Sequence, residues 1–439
     1  MTASAAQPEF RWPQGLRYGL MALPLAFVAL PLYVFLPNYY ARSFGLPLAS
    51  LGVLLLIARV ADAVIDPLLG RWVDRLFARS QTQVLRFSAF AAVLLGAGFI
   101  ALFFPPVREH GALLVWAAGA LLVCYLGYSA LTLVQQSWGA LLGGDAPLRS
   151  RIVSWREGLG LAGVILASMA PLAFGLPVTA AILCLALGLG WLAWTAAPAP
   201  VLAPALEVVT DATANANANG KAGTGTGLRV LAPLRYKPFR ALLAVFLANG
   251  IASALPATLI LFFVQDRLQA PASMEPRFLA SYFLAAALAM APVSRLVARW
   301  GLQSLWLASM GLSVAVFAWA AQLGSGDSLP FIAICLLSGL CMAADLTVPG
   351  AMLAGLINSQ PEPGRDSGIY WGWWNMAAKL NLALAAGLAL PLLSYAGYEP
   401  GNRSEEALRS ITWAYCVLPC ALKLAAAALL YFLLIRKTP

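Results

Sequence analysis

Histidine is almost missing from this 439-residue chain: His110 is the sole example. Chemistry that needs an imidazole base or a His-built zinc site has one residue to draw on, and that residue falls in a short loop between apolar runs. Cysteine occurs six times, as Cys124, Cys184, Cys335, Cys341, Cys416 and Cys420, always inside apolar stretches. Cys416 and Cys420 could share a helix face, yet no His or third Cys joins them. No metal site, no cofactor and no disulfide framework is therefore expected, and helix packing is the reading for all six. Charge is scarce too. Asp, Glu, Lys and Arg make up 10% of the residues and apolar side chains 61%, where a soluble domain carries about 25% charge. That excludes an ordinary soluble protein and leaves a polytopic membrane protein, with the lipid bilayer as its first partner. The net charge of +10 then concerns orientation, and no nucleic-acid partner is expected. No cleavable signal peptide is expected either: residues 1–14 are polar and short, and the first apolar run is long enough to span.

A spanning helix needs about 20 apolar residues. Twelve stretches qualify, at 16–40, 48–74, 84–104, 113–142, 153–175, 177–197, 239–267, 277–298, 302–323, 329–357, 367–396 and 410–435. The expected fold is all-α: twelve transmembrane helices in two halves of six. Between the sixth and seventh lies the one long polar stretch, with Asn/Ala and Gly/Thr tracts that cannot build a core. The predicted organisation is an N-terminal half at 1–197, a flexible cytoplasmic linker at 198–238 and a C-terminal half at 239–439. Basic residues support it. With the N-terminus inside, eighteen of the 28 Lys and Arg fall in cytoplasmic segments, six outside, and four (Arg59, Arg156, Lys379, Lys423) at membrane depth. A threefold inside excess predicts both termini in the cytoplasm. The halves also echo one another: Gly70-Arg71-Trp72-Val73-Asp74-Arg75 after the second span and Ser294-Arg295-Leu296-Val297-Ala298-Arg299 after the eighth both end in Arg.

The stretch richest in chemistry is Ala58-Arg59-Val60-Ala61-Asp62-Ala63-Val64-Ile65-Asp66-Pro67. Asp62 and Asp66 are one turn apart on a shared helix face, with Arg59 a turn earlier. Each such charge at the centre of a membrane helix costs about 2.5–3.5 kcal/mol on insertion scales. One carboxylate could be a structural partner for Arg59. Two on one face point to handling of an ion or a proton.

Gly70-x-x-x-Asp74-Arg75 resembles the cytoplasmic loop motif of the major facilitator superfamily, in which the Asp and Arg bridge neighbouring helices and help hold the outward-facing state. A closer resemblance is to its glycoside–pentoside–hexuronide:cation symporter branch, the melibiose-permease-like family. The second span, Ala58 to Gly70, looks like that branch's cation-site helix, with Asp62 and Asp66 on its paired carboxylates. Trp138, Arg149 and Arg156-Glu157 are similar to a segment in which a Trp and an Arg line the substrate cavity. Ala344-Asp345-Leu346-Thr347-Val348-Pro349-Gly350 resembles the tenth helix. Gly368-Ile369-Tyr370-Trp371-Gly372-Trp373-Trp374-Asn375-Met376-Ala377-Ala378-Lys379 resembles the eleventh, Lys379 falling on a lysine implicated in coupling, and Gly397-Tyr398-Glu399-Pro400-Gly401 fits the loop after it. The resemblance implies the major facilitator fold and symport by alternating access.

The departures are as informative. Ile65 stands where sodium-using members commonly carry Asn, and it offers no oxygen, so H+ rather than Na+ is the expected coupling ion. The first and fourth spans lack the acidic residues with which melibiose-type members bind sugar. Gln135, Gln136, Trp138, Arg156, Trp371 and Asn375 are the expected substrate-binding residues instead, beside the coupling set Asp62, Asp66, Arg59 and Lys379. The expected solute is a small polar molecule, a sugar, glycoside or uronic acid. An amphipathic lipid such as a lysophospholipid is the alternative within transporters, and a membrane-embedded transferase is the alternative class. The transferase suffers from the shortage of histidine. A monomer in the bacterial inner membrane completes the expectation.

Overall fold

A computed structural model describes residues 10–201, 230–360, 364, 366–395, 398 and 401–436, and these residues form helices and their connections, with no strand among them. Most of the predicted linker, including its Asn/Ala and Gly/Thr tracts, lies outside the described residues, as does part of the motif at 397–401.

In chain order the helices are α1 (Trp12–Gly19), α2 (Ala22–Leu30), α3 (Leu36–Phe44), α4 (Leu48–Phe77), α5 (Gln81–Phe103), α6 (His110–Leu141), α7 (Ala146–Thr195), α8 (Ala232–Arg235), α9 (Lys237–Phe262), α10 (Glu275–Ala320), α11 (Ser328–Asn358), α12 (Ser367–Tyr395), α13 (Glu405–Thr412) and α14 (Leu418–Leu430). The first predicted span is broken into α1 to α3. A π-turn at Pro31–Phe35 joins α2 to α3, because a proline inside a helix removes a backbone donor and forces a local rearrangement. The fifth and sixth spans run on as the 50-residue α7, and the eighth and ninth as the 46-residue α10. Each long helix is two rods that turn at one glycine, Gly175 (φ 75°) and Gly301 (φ 74°), where a Cβ would be strained.

Eight helices among the described residues are long and apolar enough to cross a bilayer by length and composition. Dividing α10 at Gly301 and adding the α1–α3 run, the 30-residue α4 and the 29-residue α12 gives the twelve expected spans. The chain is an all-α, multi-pass membrane protein.

The residues group into two compact units, Met1–Lys237 with Ala354–Met376, and Pro238–Leu353 with Ala377–Pro439. The expected boundary at 198–238 is therefore incomplete. The end of α11 and the start of α12 belong with the first unit, although they follow the linker in sequence. Short-range bonds account for this. Asp74 accepts the amides of Gly368 and Ile369, and the Asn358 amide donates to the Ala140 carbonyl at 2.9 Å. Glycines also bring backbones together: a Cβ on Gly372 would lie 2.6 Å from the Asp66 carbonyl oxygen, and one on Gly70 would strike the Gly368 carbonyl. Gly368 and Gly372 form the small-xxx-small spacing that lets membrane helices approach closely.

In the second unit an aromatic cluster carries the core. Phe263 stacks on Tyr415 at 4.2 Å between ring centroids, and Phe278 meets Phe331 edge-on at 4.9 Å.

Candidate functional site

The first unit holds two polar centres. On α4, Asp62 and Asp66 are 3% and 0% exposed. Asp62 accepts a hydrogen bond from the Ser129 hydroxyl of α6 at 2.8 Å. One turn along α6 sits the buried Thr132 hydroxyl, which has no hydrogen-bond partner among the described residues. Asp62 thus meets a hydroxyl of α6, and Asp66 is buried one turn further along α4. Arg59 is half-buried on the same helix. Such a set can take up a proton at a carboxylate, and its oxygens are the ligand type that a hard monovalent cation uses.

The second centre is a cavity walled by Tyr18, Gln136, Arg149, Arg156, Ala354 and Trp371, among others. Arg156 is 8% exposed. Its Nε and Nη2 donate to Glu157 Oε1 at 3.0 and 2.7 Å. The guanidinium carbon lies 5.4 Å from the Trp371 ring centroid, a cation–π contact that desolvation strengthens. Beside it the amides of Gln136 and Asn375 exchange hydrogen bonds in both directions, at 3.1 and 2.9 Å. The structure therefore gathers four expected substrate residues, Gln136, Arg156, Trp371 and Asn375. Small residues make the room. A Cβ on Gly355 would come within 2.9 Å of Arg149 Nη2, and one on Gly139 would collide with the Tyr18 hydroxyl.

Two expected substrate residues are directed elsewhere. Trp138 is fully buried, donates its indole N–H to the Pro198 carbonyl at 2.9 Å and packs on Trp194 at 5.4 Å. Gln135 donates to the Tyr18 carbonyl at 3.1 Å and accepts the Tyr18 hydroxyl on its own carbonyl at 2.9 Å. Neither lines the cavity. The reason is helical rotation: neighbours in sequence are about 100° apart, so Gln135 and Gln136 cannot share a face. Arg149 and Tyr18, in contrast, do line it. Arg149 counts among the cytoplasmic positive charges and also falls in the segment whose resemblance implies a cavity-lining Arg, whereas Tyr18 carries no signal in the sequence.

In the loop motif, Asp74 caps the start of α12, its Oδ1 2.5 Å from the Gly368 nitrogen and its Oδ2 3.0 Å from that of Ile369. A carboxylate there meets the unsatisfied N–H groups and positive end of the helix. Gly70 supplies the close approach described above, and Arg75 is exposed. Lys379 falls in the α12 stretch assigned to the second unit and is half-buried.

The second unit has a polar centre of its own. Lys423 of α14 pairs with Asp345 of α11 at 2.6 Å, with side chains 8% and 14% exposed. Lys423 also donates to the Ser253 hydroxyl at 2.9 Å, and the Trp306 indole donates to Asp345 Oδ1 at 2.9 Å. Four helices, α9, α10, α11 and α14, meet at one buried ion pair.

Twelve apolar helical spans, the second carrying two buried carboxylates, have the architecture of the major facilitator fold. More narrowly, the sequence profile of the MFS/sugar transport protein family matches residues 17–437, and the chain belongs to that family. Among curated relatives, YagG of Escherichia coli (strain K12), named as a glycoside/cation symporter, is 30% identical over 146 residues, which is 33% of this chain and 32% of that protein. YicJ of the same organism, named an inner membrane symporter, is 27% identical over 132 residues, 30% of this chain and 28% of that protein. The chain thus matches about a third of the length of these relatives. Solved structures agree on the fold. A bacterial homologue of the iron transporter ferroportin aligns with TM-score 0.66 and 16% identity over 96% of this chain and 98% of that one. The Escherichia coli fucose:proton symporter FucP aligns with TM-score 0.66 and 15% identity over 95% and 98%.

Proposed function

We propose that this protein is a cation-coupled symporter of a sugar or glycoside, working by alternating access, with Asp62 and Asp66 as its cation site. The observation that carries the reading is the burial of both carboxylates on one face of α4, 3% and 0% exposed. Burying charge at membrane depth is costly and persists where the charge serves transport. Family membership and the names of YagG and YicJ point the same way.

The coupling ion is a proton. Ile65 withholds an oxygen between the carboxylates, and a proton needs a single carboxylate where sodium needs several ligands. Lys379 is the coupling cation on α12, as its position in the motif implies. The protein lies in the inner membrane with both termini in the cytoplasm, as the distribution of Lys and Arg supports.

Reconstituted protein tests this. Asp66→Asn keeps the shape and removes the titratable charge. Uphill accumulation of substrate should vanish while exchange down the substrate's own gradient persists. Asp62→Asn should behave alike, and Lys379→Ala should uncouple accumulation from the proton gradient. Sodium added at fixed pH should change uptake little. Parental accumulation by both Asn variants would make the carboxylates structural.

A further inference from the structure

The outer face of α4 ends in positive charge. Val60, Val64, Leu68 and Trp72 are all exposed. Steps of four residues set them along one stripe of the helix, and Asp62 and Asp66 are buried on the other side. Arg75 continues the stripe and Arg79 follows in the turn to α5. Both are exposed, as is Arg86 near the start of α5. Where the two helices meet, Trp72 packs edge-on against Phe87 with ring centroids 4.6 Å apart.

No neighbouring carboxylate balances these arginines. The sequence has no Asp or Glu between Asp74 and Glu109, and Asp74 is turned to the α12 amides. Among the described residues Arg75, Arg79 and Arg86 form no ion pair. The inside excess of Lys and Arg asks for basic residues at this end of the helix. It does not ask that they follow a lipid-facing stripe or flank an exposed tryptophan. The second unit repeats the arrangement. On the first rod of α10, Leu284 and Leu288 are 53% and 68% exposed, and the exposed Arg295 and Arg299 follow on that face. Trp300 is exposed just before the turn at Gly301. Again no acidic residue occurs between Glu275 and Asp327.

Such a surface fits one type of partner. From Val60 to Trp72 the stripe runs about 18 Å, close to the roughly 15 Å of hydrocarbon in one leaflet. That length suits an acyl chain. An exposed tryptophan at its end belongs at headgroup depth, and guanidinium groups beyond it bind phosphate oxygens through charge-assisted, often bidentate hydrogen bonds. Dense basic residues beside a membrane helix attract anionic lipid. A zwitterionic headgroup brings its own cation, which the arginines repel.

We propose that the outer face of α4, with Trp72, Arg75, Arg79 and Arg86, is a docking surface for an anionic phospholipid such as phosphatidylglycerol, and that Arg295, Arg299 and Trp300 form its counterpart on α10. The phosphodiester sits among the arginines and an acyl chain follows the stripe. The lipid thus braces the back of the helix that carries Asp62 and Asp66. Neither the substrate nor the coupling ion enters this proposal, so it stands or falls apart from the symporter reading.

The test is tryptophan quenching in vesicles that hold the full-length protein. Bromine on an acyl chain quenches the indoles it touches. Vesicles of phosphatidylcholine and phosphatidylglycerol in fixed proportion carry the bromine on one lipid or the other, and the difference between parent and Trp72→Phe isolates Trp72. Brominated phosphatidylglycerol should quench Trp72 more than brominated phosphatidylcholine, and added salt should shrink the excess. Replacing Arg75, Arg79 and Arg86 together by Gln should abolish it. If that variant does not insert, Arg79→Gln alone serves and should cut the preference about fivefold, the factor one basic side chain supplies at an anionic surface. Arg436→Gln, an equal charge change at the end of the second unit, should leave it unchanged. Equal quenching by the two lipids overturns the proposal, as does an excess that the α4 and α5 variants leave intact or that Arg436→Gln removes equally. Two other occupants are separated by further measurements. Inorganic phosphate that abolishes the excess at constant ionic strength makes this a free-anion site. A dimer in detergent that Val64→Arg dissociates gives the stripe to a second copy. Either result also overturns the lipid.

Discussion

Asp74 holds the start of α12 by its first amides, with Oδ1 2.5 Å from the Gly368 nitrogen. The two residues are 294 positions apart in sequence, and the carboxylate also takes the Ile369 amide. Asp74→Ala removes both acceptors and leaves the N–H groups buried. It should lower stability by about 1–3 kcal/mol. Asp74→Asn retains one acceptor and should lose less. Thermal unfolding in detergent reads the difference; equal loss for the two variants would show that charge and not hydrogen bonding matters.

The glycines of α12 should be intolerant in proportion to the space they lack. A Cβ at Gly372 would sit 2.6 Å from both the Asp66 carbonyl oxygen and Pro67 Cα, while one at Gly311 has nothing within 4 Å. Gly372→Ala should cost about 1–3 kcal/mol through forced backbone shifts and reduce transport. Gly311→Ala should leave uptake near the parental rate. Folded yield and initial uptake rates, measured side by side, check the pair.

The buried pair of Lys423 and Asp345 predicts strong non-additivity. Lys423→Met leaves Asp345 charged at membrane depth without its counter-ion, and breaking one side of a buried pair costs about 3–5 kcal/mol. Adding Asp345→Asn removes the stranded charge and keeps an acceptor for the Trp306 indole. The double variant should recover most of the lost folded protein, as size-exclusion profiles of the two would reveal. Additive losses would mean the pair contributes nothing as a pair.

Trp138 and Trp371 should separate stability from binding. Trp138→Phe loses the bond to the Pro198 carbonyl and some packing on Trp194, about 1 kcal/mol for the hydrogen bond, with the KM for substrate unchanged. Trp371→Phe should do the reverse. A raised KM for Trp138→Phe at parental stability would return that side chain to the substrate site.

The sequence alone determined the class of this protein. Apolar run lengths, the single polar stretch and the inside excess of Lys and Arg are set by the bilayer, which acts on every residue at its depth whatever the neighbours are. The carboxylates of α4 were legible for the same reason, since charge in an apolar run stands out without any knowledge of its partner. What the tertiary structure decided is which side chains meet. One-residue steps on α6 send Gln136 to the cavity and Gln135 to the Tyr18 backbone, and periodicity cannot choose between faces of a helix that is apolar on all sides. Arg149 became a cavity residue because Gly355, over two hundred positions away, leaves it room. Asp345 and Lys423 found each other across four helices. The grouping of 354–376 with the first unit rests on a carboxylate, an amide pair and three glycines, none of which marks its partner in the sequence.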